Sequence, residues 1–198
     1  MDVPSPRSVH DGARLAAYAR LLGHSTGLSR GPVADVHAIP PGFHGRDFHT
    51  LVTSGLSDRA MAVPEDLGRE HARIELIFYV DEVRPEQVRL LATCAALAFE
   101  PGTWLGQGHT IPNGQPPLPL FTGTQLCSLL LMPTVLEPDA FLCDHLFIEG
   151  DPVNFLWLVP LTRAELDLKV EQGLPALLQR FDDGNLGHVF DPARPSLA

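Results

Sequence analysis

Three groupings of side chains in this 198-residue chain have the types needed for chemistry. Asp144 and His145 follow Cys143, His109 lies in the stretch WLGQGHTIPNGQPPLPLF (104–121), and His44 and His49 flank a turn. His109, Asp144 and His145 together would supply metal ligands or an acid–base pair. Cys143 or Cys127 beside a histidine would make a thiolate nucleophile. The glycines of GQGHT would suit a phosphate cradle. Spacing argues against each. There is no H-E-x-x-H, C-x-x-C or H-x-H, the third glycine of G-x-G-x-x-G is missing, and no G-x-x-x-x-G-K-[ST] occurs. Both thiols sit in apolar runs, where burial raises the pKa and quenches reactivity. A small-molecule or metal-dependent enzyme using His109, Asp144 and His145 therefore stands as the alternative reading, with no catalytic residue, metal or cofactor in the leading one.

The leading reading makes 104–121 a shaped recognition loop. Pro112, Pro116, Pro117 and Pro119 fix φ and remove donors, lowering the entropy of a segment without regular structure. Asn113-Gly114 is a tight-turn dipeptide. Trp104 and Phe121 are expected to anchor the loop ends in the core. Gly106, His109 and Asn113 are then presented to a partner or tie the loop down, and both roles stay open for the two polar side chains.

The elements that must hold this loop are legible from periodicity. In SVHDGARLAAYARLLG, Leu15, Tyr18, Leu21 and Leu22 share a helical face, Ser8 or Asp11 caps the start and Gly23 ends it, giving a helix near 10–22. GPVADVHAIP and DFHTLVTSGLS read as strands. ARIELIFYV alternates Ile74, Leu76, Phe78 and Val80 with the residues between them, which predicts a strand over 73–80 with one face on the core. Pro85 opens a largely buried helix over 85–99. Three apolar runs, 125–132, 141–148 and 153–159, are expected to be central strands. Thr162 with Glu165 forms a capping box for a helix over 163–172, Gly173 closes it, and Pro175 opens another that carries Leu177, Leu178 and Phe181. Strands come in groups rather than in strict alternation with helices. The expectation is α+β: one domain over 1–198, with a mixed, mostly antiparallel sheet and helices packed on it.

Composition limits the partners. Thirteen Arg and one Lys against 24 acidic residues give a net charge of −10 with no basic cluster, which argues against nucleic acid. No apolar run reaches the ~18 residues of a membrane helix, and MDVPSPRSVHDG has no signal-peptide core, so the expected location is cytoplasmic. Cys94, Cys127 and Cys143 are expected to be buried, reduced thiols.

FHTLVTSGLSDRAM (48–61), RIELIFYV (73–80), GHTIPNGQPPLPLF followed by GT, and VNFLWLVPLTRAELDLKVEQG (153–173) occur in order. In these motifs, from about 35 to 173, the chain resembles the suppressor of fused domain family. The resemblance implies an α/β sandwich-like domain that works by protein–protein contact without known catalysis. Longer animal members grip a transcription-factor peptide between this domain and a second one, whereas this chain corresponds to the first alone. Bacterial single-domain members look like immunity proteins. The resemblance thus implies a protein partner, for which a basic toxin would suit the −10 charge.

Overall fold

The computed structural model describes residues 8–198, with side chains from residue 10 onward. The opening helix α1 (Ser8–Leu21) ends at Gly23, whose φ of +110° lets its N–H return to Tyr18 O at 2.8 Å. The Ser8 cap lies outside the described side chains. Leu15 is exposed, and the face turned inward instead carries Arg14, Ala17, Tyr18, Leu21 and Leu22.

Strands β1 (Gly27–Ser29), β2 (Asp35–Ile39), β3 (His49–Ser54) and β4 (Ile74–Val80) form an antiparallel run. Helix α2 (Pro85–Leu97) then crosses over the sheet. Its start is held by Arg84 N–H donating to Gln87 Oε1 at 2.8 Å. Strands β5 (Thr110–Pro112) and β6 (Leu126–Pro133) follow. A small hairpin, β7 (Phe147–Ile148) and β8 (Asp151–Pro152), comes next, then β9 (Asn154–Thr162), α3 (Arg163–Gln172) and α4 (Leu174–Asp183). The main sheet has the order β1-β2-β3-β4-β9-β6-β5. Every pairing in it is antiparallel except β4 with β9. This is the mixed, mostly antiparallel α+β sheet that the grouped strands predict.

Helices cover both faces of this sheet, so β4 is buried along its whole length rather than on one side. Ile74, Leu76, Phe78 and Val80 pack under α2 with Leu91, Cys94 and Ala95. Ile77 and Tyr79 face α1 and α4, among Tyr18, Leu22, Leu177 and Phe181. The capping box of α3 is present, with Thr162 N–H donating to Glu165 Oε2 at 2.8 Å and Glu165 N–H to Thr162 Oγ1 at 3.3 Å.

The 141–148 run is not a strand of the main sheet. Residues Asp139–Asp144 form a 3-10 helix, and only Phe147 and Ile148 are extended, in the separate hairpin. The apolar count hides two acids: Asp139 is buried on Arg46 and Tyr79, and Asp144 is exposed where the alternation of buried Leu142, Leu146 and Ile148 would turn it inward. Glu149 and Gly150, at φ of +53° and +87°, then make a two-residue hairpin turn.

Three buried carboxylates fix the frame. Glu75, on β4, is fully buried. Its Oε1 accepts from Gly55 N–H at 3.0 Å, Ser57 N–H at 3.1 Å and Ser57 Oγ at 2.6 Å, and its Oε2 from Thr53 Oγ1 at 2.6 Å. The equally buried Arg14 sits nearby, donating to Ser54 Oγ at 3.0 Å and to both oxygens of Asp58. Asp139 receives Tyr79 Oη at 2.5 Å and the Arg46 guanidinium. Glu165 receives both Arg194 Nη1 and Nη2 at 2.6 Å and Leu197 N–H at 2.9 Å, clamping the C-terminal tail.

All three cysteines are free. Cys94 and Cys127 are buried as expected, but Cys143 is only half-buried, because the segment that carries it is not a sheet strand. Titration with a thiol reagent is expected to give one fast site, Cys143, in the native protein. Three sites should appear after denaturation without reductant, and fewer would mean a disulfide forms.

Candidate recognition loop and cleft

The loop between α2 and β5 is built around Trp104. Its ring is half-buried, not fully buried as an anchor would be, and packs on the α2 side of the core. The His109 ring stands edge-on to it with centroids 4.2 Å apart, and His109 Nδ1 lies 3.2 Å from Trp104 O. Gly106 is required by this stack, because a Cβ there would lie 2.3 Å from Trp104 Cζ3. Buried Leu105 donates its N–H to Met61 Sδ at 3.4 Å. Gly108, at φ +80°, donates to Leu131 O at 2.7 Å and so starts the pairing with β6.

Farther on, exposed Asn113 turns its side chain back on its own loop. Nδ2 donates to Leu118 O at 3.1 Å and Pro119 O at 2.8 Å, and Leu118 N–H returns to Asn113 O at 2.8 Å. Both polar residues named from the sequence therefore brace the loop. Half-buried Phe121 closes it, its ring 5.3 Å from that of Phe190.

The adjacent sheet edge is poorly suited to strand addition. In β5, Ile111 pairs toward Leu129, so by alternation Thr110 and Pro112 face outward. Pro112 has no N–H, and its carbonyl is taken by Gly114 N–H at 3.0 Å. Only Thr110 is left to pair.

Under the first turn of the loop lies a cleft of about 380 Å³. Trp104 to Gln107 form one wall, Leu67, His71 and Ile74 the floor near the start of β4, and Ala140 and Cys143 the far side. Its lining is mainly apolar. Burial and then Asp144 push the Cys143 thiol up, and burial alone pushes Cys94 up to about 12. Neither is a ready nucleophile at neutral pH.

The residues of the enzyme reading do not assemble. His109 is spent on Trp104, while Asp144 ends the 3-10 helix and exposed His145 follows it, Asp144 Oδ1 being met by Cys143 Sγ at 3.8 Å. His145 is not in a strand. His44 is exposed and His49 Nδ1 lies 3.0 Å from Asp81 O. Among the described residues no three His, Cys, Asp or Glu side chains group as metal ligands would. Sequence inspection passes over Gly27-Leu28-Ser29-Arg30-Gly31, which has the letters of a G-x-S-x-G nucleophile elbow. Its Gly27–Ser29 form the edge strand β1, which leads into β2 without the strand-to-helix turn that exposes such a serine.

The family model of the suppressor of fused protein (SUFU) matches residues 31–195. The chain belongs to the suppressor of fused family. No curated protein sequence matches it. The fold recurs in a suppressor of fused homologue from Neisseria gonorrhoeae FA 1090 at 18% identity, TM-score 0.70, covering 96% of this chain and 98% of that one. It recurs in the Sufu–Fu complex at 16% identity, TM-score 0.63, covering 98% and 93%. Drosophila Suppressor of Fused matches at 16% identity, TM-score 0.61, with 94% of this chain on 50% of that one. In this family member the motif FHTLVTSGLSDRAM is structural: Thr53, Gly55 and Ser57 are the donors that enclose Glu75. Among the described residues no helix is long and apolar enough to cross a membrane.

Proposed function

We propose that this member of the suppressor of fused family is a non-catalytic protein-binding domain of the immunity type, which neutralises a bacterial toxin by stoichiometric contact. Its recognition surface is the braced loop 104–119 around Gly106 together with the cleft beneath it. The observation that carries this reading is the loop's self-bracing: His109 and Asn113 spend their polar groups on loop carbonyls. A pre-formed surface binds without ordering its own residues first. His109 and Asn113 serve as shape-holders in this reading, with Trp104 and Phe121 as supports.

Gly106→Ala tests the loop directly, since the new methyl and Trp104 Cζ3 cannot share the 2.3 Å between them. Overpacking of this kind costs about 1–3 kcal/mol, and partner affinity should fall with it. Trp104→Ala should cost about 2–3 kcal/mol, at the low end for an aromatic truncation because the ring is only half-buried. Asn113→Ala removes two exposed bonds and should cost about 1 kcal/mol while weakening binding. The partner assay is calorimetric titration against the protein encoded by the neighbouring gene, followed by that protein's toxicity with and without one equivalent of the domain. Toxicity that persists at full occupancy would remove the immunity reading, and unchanged affinity in Gly106→Ala would remove the loop.

A further inference from the structure

Residues 90–162 contain no Lys or Arg at all, although the rest of the chain carries 14. The excursion between β6 and β9 lies inside this interval. Its inward side chains, Leu142, Leu146 and Ile148, are buried against α1 and the sheet. Its outward ones alternate in kind: Val135, Phe141 and Phe147 are 57%, 45% and 56% exposed, with Glu137 and Asp144 exposed between them and Glu149 just after. Three of the seven large exposed apolar side chains among the described residues therefore fall within 13 positions, in a setting of carboxylates. Such clustering marks a contact surface, whereas single exposed apolar residues do not.

The cations that reach this excursion come from other segments and neutralise Asp139, Glu149 and Asp151, whereas no cation meets Glu137 or Asp144 among the ion pairs of the described residues. Arg46 and Arg73 are buried on Asp139 and Glu149, and Arg69 is paired at the margin with Asp151 at 2.9 Å. Aromatic faces beside free carboxylates are the chemistry that holds a guanidinium, by cation–π contact and charge-assisted hydrogen bonds. We infer that the face formed by Val135, Phe141 and Phe147 with the carboxylates of Glu137 and Asp144 docks an arginine-bearing segment of a protein partner. The inference rests on the protein-binding reading above but not on its loop. Nucleic acid and anionic membranes are repelled by the same carboxylates, and a second copy of this chain would bring another net charge of −10.

The test uses three fluorescent octapeptides, alternating Leu with Arg, Lys or Glu, and anisotropy at 50 and 300 mM salt. The Arg peptide should bind and the Lys peptide bind at least threefold more weakly. The Glu peptide should not bind, and raising the salt should weaken binding severalfold. Phe141→Ser with Phe147→Ser, and separately Asp144→Lys, should each weaken the Arg peptide tenfold or more with melting temperature unchanged. Amide-exchange protection by the peptide should fall on 135–149. Should the serine pair melt early, the Asp144→Lys variant and the protection map decide alone. Equal binding of Arg and Lys peptides, or indifference to both variants, overturns the proposal. So does concentration-dependent self-association in sedimentation that the serine pair abolishes, which would make the face a homodimer contact. Binding of the parent protein to lipid vesicles that the serine pair abolishes would assign the face to membranes instead and likewise overturn the proposal. If Gly106→Ala alone abolishes binding of the natural partner, the loop reading stands and this one fails. If the face variants alone abolish it, the reverse holds.

Discussion

Glu75→Ala is expected to lower stability by about 3–5 kcal/mol, a large share of the roughly 5–15 kcal/mol that holds a domain together. The carboxylate is fully buried and accepts four hydrogen bonds from Thr53, Gly55 and Ser57. Removing it strands those donors in the core and leaves buried Arg14 with less negative charge around it, and each unmet buried donor costs about 1–3 kcal/mol. Burial pushes the Glu75 carboxyl above its ordinary range, against Ser57, Thr53 and Arg14, which pull it down. Glu75→Gln keeps an acceptor for the Gly55 and Ser57 amides and should cost distinctly less than alanine. Urea denaturation of the three proteins gives the comparison. An alanine variant as stable as the parent would mean that Thr53–Asp58 is held by something other than this acid.

Glu165→Ala is the second large effect, about 2–4 kcal/mol, and it carries a pH signature. Burial raises this carboxyl, but the Arg194 guanidinium and the Leu197 and Thr162 amides outweigh burial and hold it below the ordinary range. A depressed acid contributes stability in full above its unfolded pKa of about 4.3, and loses it as pH falls through the folded value. The stability gap between the parent and Glu165→Gln should therefore be widest at neutral pH, begin to narrow as pH falls below the unfolded pKa of about 4.3, and vanish once pH passes the lower folded value. Arg194→Ala should reproduce most of the loss. Because Arg194 also donates to Pro160 O at 2.7 Å, either change should release the tail, and cleavage after residue 190 in limited proteolysis should accelerate. An equal gap at pH 7 and pH 3.5 would show that the ionised pair adds nothing.

Local signals in this sequence were sufficient for what depends on local geometry. Pro85 at the first turn of α2, the Thr162–Glu165 box and Gly173 at φ +86° set helix ends through bonds spanning three or four residues. The alternation in RIELIFYV and the length of the apolar run in VNFLWLVP set β4 and β9 in the same way. The motifs quoted from the sequence also carried the family, which a match over residues 31–195 bears out. Tertiary structure decided the rest. Arg14 goes inside the helix and Leu15 outside because Asp58 waits 44 residues away. Residues 139–144 coil instead of pairing because Asp139 is met by Arg46, 93 residues distant, and by Tyr79 across the core. The acidic, aromatic face exists because that coil turns Phe141 outward and the small hairpin after it exposes Phe147. Periodicity and caps report what a residue does with neighbours a few positions off. The burial of a charge depends on a partner that only the completed fold brings within 3 Å.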